Sequence, residues 1–377
     1  MKQKVTVLGA GMVGSAVAVD LARTGFDVTA VDARPEALAR VTARAAVNAV
    51  RADCASAEAI GRVVAGADLV VGALSSSMGF ATLRAVIDAG KTCVDISFMA
   101  EDAWELDAYA KERGVTAVID CGVGPGVSNL LVGHGVAQLD VCERIEIYVG
   151  GLPALRSWPY EYKAAFAPHD VLEEYTRPAR VVEHGEVVLK EALSEPELMD
   201  FPEVGTLEAF NTDGLRSLAY TMKAPFMKEK TLRYPGHIAL MRALRHTGLF
   251  SKEPVTVAGG TVRPIDVTAA LLFPKWTYEE GEVDLTVMRI TVAGTKDGRA
   301  VRHEWELFDR YDPETRVRSM SRTTGYAATS MVALLAAGRF KEPGVFPPEL
   351  LAKEPGLVEA FLGEYASRGV RVTHRQE

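Results

Sequence analysis

Three glycines near the start of the chain have the spacing G-x-G-x-x-G. Gly9, Gly11 and Gly14 lie between the apolar run KVTVLGA and the longer segment SAVAVDLARTG. In a strand that turns into a helix, the first glycine permits the tight turn, the second lets the backbone approach a pyrophosphate, and the third lets helix and strand pack closely. The helix N-terminus then offers unpaired N–H groups and a partial positive charge to phosphates. The pattern predicts a dinucleotide site that includes Met12 and Val13.

An acidic residue stands where such a site requires one. Asp32 ends the next apolar run, DVTAVDA, 18 residues beyond Gly14. A carboxylate in this place binds the ribose hydroxyls of the adenosine, or alternatively only caps a turn. Because a carboxylate also repels a 2′-phosphate, Asp32 favours NAD as the cofactor. Arg34 is placed to accept that phosphate, so NADP stays open.

Four further positions are expected to line the cofactor cleft. Asp53, at the end of the third predicted strand, either flanks the adenine or faces solvent. Ala73 and Leu74 close the fourth predicted strand, where nucleotide-binding folds of this type line the cleft. Asn129 follows a glycine-rich turn and either bonds the nicotinamide amide or caps the next helix.

Residues 1–125 alternate short β-branched runs with longer helical patterns. Six runs, from KVTVLGA to VTAVIDCG, predict strands, and several of the helical segments between them end in glycine. Near-continuous apolar strands separated by helices indicate a parallel sheet covered on both faces. We therefore expect the α/β class, with a Rossmann-type doubly wound parallel sheet in this part of the chain.

After Cys121 the pattern changes to paired strands in RIEIYVGG, ARVVEHGEVVLK, DLTVMRITVAGTKDGRAVRHEWELF and RVRSMSRTT. The turn signals HG and KDG predict antiparallel hairpins. Residues 126–323 are expected to form an α+β substrate domain with an antiparallel or mixed sheet, which also supports a homodimer or higher homo-oligomer. Helices in residues 324–377, beginning with TGYAATSMVALLAAG, are expected to pack back onto the first domain. The helices expected inside the second domain lie at about 170–176, 236–246 and 264–272.

Composition argues against several classes of protein. The net charge is −8, the isoelectric point is near 5.6, and no run of basic residues occurs, so nucleic acid is not an expected partner. The N-terminus lacks the long apolar stretch of a signal peptide, and no window reaches the roughly 18 apolar residues that cross a bilayer. The sequence predicts a cytoplasmic protein without membrane contact. The four cysteines lie far apart, so neither a metal site nor a disulfide is expected.

Several longer motifs resemble the saccharopine reductase and lysine 6-dehydrogenase family. Their order along the chain also fits that family, so the resemblance covers nearly all 377 residues. The motifs are VGPGVSN at 123–129, YVGGLP at 148–153, EAFNTDG at 208–214, TLRYPGH at 231–237 and SRTTGY at 321–326.

Within the family, the sequence is more similar to the lysine 6-dehydrogenase branch. Saccharopine reductases usually show GLDPG and YCGGLP, whereas this chain has Gly124 and Val149 in place of the Asp and the Cys. The resemblance implies that NAD oxidises the ε-amine carbon of L-lysine, and that water hydrolyses the resulting imine to a semialdehyde and ammonia. A saccharopine reductase, or another imine or amino-acid reductase, is the first alternative. A non-catalytic NAD-sensing protein is the second.

The implied reaction requires anchors for a substrate carboxylate. Arginine binds a planar carboxylate through two parallel hydrogen bonds, which makes Arg233 and Arg322 the expected anchors. The alternatives are a surface salt bridge for Arg233 and a structural bond to strand-end carbonyls for Arg322. Arg322 directly precedes an apolar helix in the sequence, so Thr323 or Thr324 is expected to cap that helix. Thr212 and Thr324 complete the expected substrate-binding set.

The reaction also requires a group that accepts a proton. His237 is the first candidate, because it is largely neutral near pH 7 and opens a predicted helix whose positive end lowers its pKa. Asp213 is the rival, with an Asx-turn as its structural alternative. Asp95 ends the fifth predicted strand, at the edge where ligands bind in this architecture, or else caps the helix that follows.

Overall fold

The computed structural model describes residues 2–377 and contains, within them, eighteen strands and thirteen α-helices. No helix in this range is long and apolar enough to cross a membrane. The strands are β1 (Lys4–Leu8), β2 (Asp27–Asp32), β3 (Asn48–Arg51), β4 (Leu69–Gly72), β5 (Thr92–Asp95), β6 (Thr116–Val118), β7 (Val141–Pro153), β8 (Ala179–Glu183), β9 (Glu186–Lys190), β10 (Glu197–Phe201), β11 (Gly205–Asn211), β12 (Phe226–Arg233), β13 (Val255–Val257), β14 (Gly260–Val262), β15 (Asp284–Lys296), β16 (Arg299–Arg310), β17 (Gly344–Phe346) and β18 (Val372–Gln376). The helices are α1 (Met12–Arg23), α2 (Pro35–Thr42), α3 (Ala57–Val64), α4 (Ser76–Asp88), α5 (Asp107–Glu112), α6 (Val127–Val136), α7 (Pro168–Thr176), α8 (Leu218–Thr221), α9 (His237–His246), α10 (Pro264–Trp276), α11 (Ser319–Ala336), α12 (Pro348–Leu351) and α13 (Leu357–Ser367).

The chain divides into two compact units. Unit 1 comprises residues 2–137 and 321–372, and unit 2 comprises 138–320 and 373–377. The boundaries predicted from the sequence lie at 125/126 and 323/324. In the structure, by contrast, α6 belongs to unit 1 and the last five residues belong to unit 2. Close backbone packing explains the position of α6, because a Cβ atom on Gly133 would lie 2.4 Å from the carbonyl oxygen of Glu349.

Unit 1 contains a seven-stranded sheet in the order β17-β6-β5-β4-β1-β2-β3. Every pair in it is parallel, so the predicted doubly wound sheet is confirmed. β17 was not predicted, because three residues carry too little periodicity to identify a strand. Strand order reverses at β1, which lies between β4 and β2. In open α/β sheets, ligands bind beyond the carboxyl ends of the strands at such a reversal.

Unit 2 contains a nine-stranded sheet whose main path runs β10-β11-β12-β7-β15-β16-β18, with β8 paired to β12 and β9 paired to β8. Only the β12–β7 pair is parallel among the strand pairs described for this sheet, so the predicted mixed sheet is confirmed. The predicted hairpins are β8–β9 and β15–β16. Their turn residues all have positive φ, as a two-residue hairpin turn of this hand requires. These residues are His184, Gly185, Asp297 and Gly298.

The prediction of a strand in RVRSMSRTT is wrong, because α11 begins at Ser319. The carboxylate of Asp284, at the start of β15, accepts hydrogen bonds from the backbone N–H groups of Ser319 and Met320 at 2.7 and 3.1 Å. The side chain of a residue distant in sequence therefore accepts hydrogen bonds from the backbone N–H groups of the first helical turn. Thr323 and Thr324 consequently lie inside α11 and do not cap it.

Candidate functional site

The glycine turn between β1 and α1 depends on the absence of side chains at two positions. Gly9 has φ +99°, and a Cβ atom on it would lie 2.4 Å from the carbonyl oxygen of Ala73. A Cβ atom on Gly14 would lie 2.0 Å from the carbonyl oxygen of Gly9. Gly11, the N-cap of α1, has open space at its Cβ position. The turn thus provides the close backbone and exposed helix N-terminus that bind a pyrophosphate.

Asp32 lies at the end of β2 beside this turn. Its carboxylate accepts hydrogen bonds from the backbone N–H of Ala10 at 2.9 Å and of Arg34 at 2.9 Å, and pairs with Arg34 Nε at 3.1 Å. Burial alone raises the pKa of Asp32, but the bonds from Arg34 and Ala10 outweigh burial and leave the pKa below its ordinary value. The carboxylate is therefore ionised at neutral pH, and it holds Arg34, a cation that suits a 2′-phosphate.

We expect the substitution Asp32→Ser to raise the affinity for NADP relative to NAD by about 100-fold, because it removes the repulsion and frees Arg34 to bind the phosphate. Calorimetric titration of both dinucleotides measures this ratio without requiring turnover. Adding Arg34→Ala should abolish the gain for NADP. An unchanged ratio in the single variant would mean that Asp32 does not contact the ribose.

The other predicted cofactor residues have different surroundings. Ala73 packs against the glycine turn, since its Cβ lies 3.2 Å from the Cβ position of Gly14, and Leu74 follows it. Asp53 lies beyond the end of β3, is exposed, and accepts a hydrogen bond from the backbone of Ala55. Asn129 is fully buried in unit 1, and its Oδ1 accepts a hydrogen bond from the Gly126 N–H at the start of α6. Of the two alternatives for Asn129, the structure shows the helix-capping bond.

Asp95 is a fully buried carboxyl group at the carboxyl edge of the parallel sheet. Its Oδ1 accepts a hydrogen bond from the backbone of Ser97 at 2.8 Å, whereas Oδ2 has no hydrogen-bond partner among residues 2–377. Burial raises the pKa of Asp95 to about 7. Gly72 makes room for it, because a Cβ atom there would lie 1.9 Å from Oδ2. The first turn after β5 is capped by Asp102 instead, so capping does not account for Asp95.

Unit 2 contains a buried arginine surrounded by aromatic rings. Arg233, at the end of β12, is 2% exposed, and its guanidinium lies 4.5 Å from the centre of the Tyr162 ring. Its Nη2 donates to Glu174 at 3.0 Å and its Nε to the Tyr175 hydroxyl at 3.2 Å. The surface salt bridge that was the alternative for Arg233 is therefore wrong, because the ion pair of Arg233 is buried.

His237 opens α9 as predicted, but it is fully buried and both ring nitrogens have partners. Its Nδ1 lies 2.7 Å from the carbonyl oxygen of Tyr160, which can only accept, so Nδ1 carries the hydrogen. Its Nε2 then accepts the hydroxyl hydrogen of Tyr175 at 2.8 Å. Burial, followed by the charge of Arg233, lowers the pKa of His237 to about 3. The ring is neutral and linked to Arg233 through Tyr175.

Glu229 is a buried acid that sequence reasoning missed. It shares one face of β12 with Thr231 and Arg233, as the period of two in a strand requires. Its Oε2 lies 2.6 Å from the hydroxyl of Thr212 and 3.0 Å from the backbone N of Gly214. Burial raises the pKa of Glu229 to about 8. The sequence signal for this acid was that every second residue of KEKTLR, namely Glu229, Thr231 and Arg233, is charged or polar.

Glu229 should make the free energy of unfolding fall as the pH rises from about 5 to about 8. Over this range the folded protein keeps a proton that the unfolded chain has released, so one group contributes a slope of up to about 1.4 kcal/mol per pH unit. Glutamine keeps the acceptor oxygen but does not titrate. Urea unfolding of Glu229→Gln should therefore show a flatter pH profile, whereas Glu203→Gln, at an exposed position, should keep the wild-type slope. Equal slopes in all three proteins would contradict the buried, protonated state of Glu229.

Asp213 forms an ion pair that was not predicted. Both of its carboxylate oxygens lie 2.7 Å from guanidinium nitrogens of Arg180, and the backbone N–H of Arg180 also donates to it. No Asx-turn bond occurs among the hydrogen bonds described for Asp213. Its negative charge is thus already matched within unit 2.

The four predicted substrate-binding residues fall in different units. Arg233 and Thr212 belong to unit 2, whereas Arg322 and Thr324 belong to unit 1. Arg322 Nη2 donates to the carbonyl of Arg368 at 3.4 Å, which is a structural bond to the end of helix α13 and not to the end of a strand. The expectation that Arg322 shares a domain with Arg233 is therefore wrong, because α11 leaves the substrate unit after two residues.

Comparison with known proteins gives the family. The model of the saccharopine dehydrogenase NADP binding domain matches residues 5–118, and that of the saccharopine dehydrogenase C-terminal domain matches residues 122–370. The chain is 26% identical over 267 residues to alpha-aminoadipic semialdehyde synthase of Rattus norvegicus, which covers 67% of the chain and 29% of that protein. It is 22% identical over 315 residues to saccharopine dehydrogenase (NADP+, L-glutamate-forming) of Pyricularia oryzae, which covers 79% of the chain and 69% of that protein.

A solved structure has the same fold over the whole chain. Apo saccharopine dehydrogenase (L-Glu forming) of Saccharomyces cerevisiae superposes with a TM-score of 0.81 at 17% identity, with 100% of both chains covered. The chain spans less than a third of the length of the aminoadipic semialdehyde synthases that it matches. With both domain models matched in order, the chain belongs to the saccharopine dehydrogenase family, and its unit 1 carries that family's NAD(P)-binding domain.

Proposed function

We propose that the protein is an NAD(P)-dependent oxidoreductase of an amino acid, and that it deaminates L-lysine oxidatively at the ε-carbon. A dinucleotide held by the glycine turn of Gly9, Gly11 and Gly14 would supply the acceptor for a hydride from that carbon. The substrate R–CH2–NH3+ thereby loses a hydride and a proton and becomes the imine R–CH=NH2+. Water then adds to the imine carbon and releases R–CHO and NH4+, which balances atoms and charge.

The buried charge of unit 2 carries this proposal. A protein that only senses a dinucleotide has no need for an arginine that is 2% exposed and paired with a glutamate. Burial raises the pKa of Glu174 to about 7 even beside Arg233. Burying such groups costs free energy, and groups with strongly shifted pKa values cluster at functional sites. A cation and an acid in contact suit the carboxylate and ammonium of an amino acid.

Asp95 is the preferred proton acceptor among the three candidates. A lysine amine, with a pKa near 10.4, must lose a proton before hydride transfer. His237 and Asp213 already bind Tyr175 and Arg180, respectively. Asp95 keeps one oxygen without a partner among residues 2–377, and its pKa of about 7 suits proton transfer near neutral pH. It also ends a strand at the ligand-binding edge of the sheet.

The choice of lysine over saccharopine rests on two positions. Gly124 and Val149 stand where saccharopine reductases usually carry Asp and Cys. The relatives named above are saccharopine-type proteins at 22–26% identity, which makes the saccharopine reductase reaction the second candidate.

One assay separates these candidates. Purified protein is incubated with L-lysine and either NAD or NADP, and the reduced cofactor and ammonia are measured together. We expect the two products in equal amounts. No turnover of lysine, together with oxidation of NADPH in the presence of aminoadipate semialdehyde and glutamate, would instead establish the saccharopine reductase reaction. No turnover in either direction despite dinucleotide binding would support the NAD-sensing alternative.

We also propose a homodimer or higher homo-oligomer. The main path of the unit 2 sheet ends at β10 and β18, and its branch from β12 ends at β9; these outer strands offer backbone groups for pairing with a second copy. Gel filtration should give a mass of at least twice 40.6 kDa. Elution at the mass of one chain would contradict the proposal.

A further inference from the structure

Unit 2 contains buried polar atoms that make no hydrogen bond within residues 2–377. Three of these atoms are the hydroxyl oxygens of Tyr162 and Tyr278 and the Nε of Arg318. Tyr162 is 3% exposed and Tyr278 is 7% exposed. Buried polar groups in folded proteins are nearly always satisfied, so each exception requires an explanation.

The three groups lie in one region. The backbone N–H of Ala164 donates to the carbonyl of Trp276 at 2.8 Å, which joins the segment of Tyr162 to the segment of Tyr278. The Arg318 guanidinium lies 4.8 Å from the centre of the Tyr278 ring, and its Nη2 is held by the carbonyl of Glu279 at 3.1 Å. The indole of Trp276, whose Nε1 also has no partner in the described chain, lies 5.3 Å from the Tyr162 ring.

The charges in this region favour an anion. Lys163 lies 5.9 Å from the centre of the Tyr278 ring, on which Arg318 also packs, and Arg233 packs on the Tyr162 ring. The two carboxylates near Tyr278 already have partners. Glu282 is bound by Lys163 and by the backbone of Glu279, and Asp284 is bound by the start of α11. The region therefore presents several donors and no remaining acidic acceptor of its own.

We propose that Tyr162, Tyr278 and Arg318 form a carboxylate-binding subsite, which holds the carboxylate of the amino-acid substrate away from its reacting amine. A carboxylate has two oxygens and about four acceptor positions, enough for two hydroxyls and a guanidinium N–H. Arg233 already uses Nε, Nη1 and Nη2 as donors, and so contributes its positive field rather than the main contacts. The identity of the substrate as an amino acid rests on the proposed function.

Comparing L-lysine with 1,5-diaminopentane, which is lysine without its carboxylate, tests the subsite. We expect Tyr162→Phe/Tyr278→Phe to lower kcat/KM for lysine by about 10- to 100-fold, as loss of hydrogen bonds to a charged group does. The same variant should leave kcat/KM for the diamine within about threefold of wild type. Tyr234→Phe, which loses a bond from a buried hydroxyl to the carbonyl of Pro153, is the matched control and should keep the wild-type ratio of the two substrates. Equal loss for both substrates in the double variant would overturn the proposal.

A binding measurement remains decisive if lysine proves not to be a substrate. Pentanoate should raise the melting temperature of the wild-type protein, and this effect should disappear in the double variant and in Arg318→Gln. Since the two hydroxyls have no partner in the described protein, the phenylalanine variants should fold as stably as wild type without pentanoate. Tyr175→Phe, which loses bonds to His237 and Arg233, should be less stable. Pentanoate binding that persists in all variants, or fails in wild type, would refute the subsite whatever the reaction is.

Discussion

The substitution Gly14→Ala should abolish dinucleotide binding and destabilise unit 1. The added Cβ would lie 2.0 Å from the carbonyl oxygen of Gly9 and 3.2 Å from Cβ of Ala73, so α1 must move away from β1. The N–H groups at the start of α1 would move with it, away from the pyrophosphate. We expect the dissociation constant for NAD to rise at least ~100-fold, or about 2.7 kcal/mol, with a lower melting temperature. Calorimetry and thermal unfolding measure the two effects.

Substitutions at two other glycines distinguish an effect on NAD binding from an effect on stability. Gly11 has open space at its Cβ position, so Gly11→Ala should keep the melting temperature and yet weaken NAD binding, because the backbone there approaches the phosphates. Gly61, inside α3, also has open space and lies away from the turn, so Gly61→Ala should change neither quantity adversely. If Gly14→Ala bound NAD as wild type does, the glycine turn would not be the phosphate site.

Arg233→Met should lose both stability and activity. It removes one partner of a buried ion pair and leaves Glu174 and Tyr175 without their donor. Breaking a buried pair in this way costs about 3–5 kcal/mol of unfolding free energy. Because Arg233 also provides the buried positive charge of unit 2, we expect kcat/KM for lysine to fall at least ~1000-fold, or about 4 kcal/mol. Urea unfolding and steady-state kinetics give the two numbers.

A double variant separates the structural role of Arg233 from its role in activity. In Arg233→Met/Glu174→Gln, no unpaired acid remains in the interior, so part of the lost stability should return. Activity should not return, since the positive charge is still missing. Recovery of activity together with stability would show that Arg233 only supports the fold. Full wild-type stability of Arg233→Met would instead contradict the buried pair with Glu174.

Some features of this chain follow from patterns within a few residues. The spacing of Gly9, Gly11 and Gly14 specifies the tight turn and close packing, because a side chain at Gly9 or Gly14 would clash with nearby backbone and Gly11 leaves the start of α1 open. Alternating apolar strands and helices specify the parallel sheet of unit 1. The hairpin at Asp297-Gly298 is equally local, since both residues adopt the positive φ that its turn needs.

The candidate site was only partly predictable. Asp95 and Asp32 were identified because each ends a strand, which is visible in the sequence. The partner of Asp213 was not, since Arg180 precedes it by 33 residues, and nothing in the TDG motif favours this arginine over another. Arg322 was assigned to the wrong domain because its helix starts at Ser319, before Arg322 and not after it, where Asp284 binds the first N–H groups.

By itself, the sequence determined the dinucleotide fold and the positions of its turn residues, since short-range sterics and periodicity decide both. Tertiary structure alone decided that Glu174 pairs with Arg233, that β17 joins β6, and that the hydroxyls of Tyr162 and Tyr278 are buried without partners in the described chain. Each of these depends on which distant segments meet. A pair 59 residues apart is formed by the packing of α7 onto β12, and no local pattern carries that information.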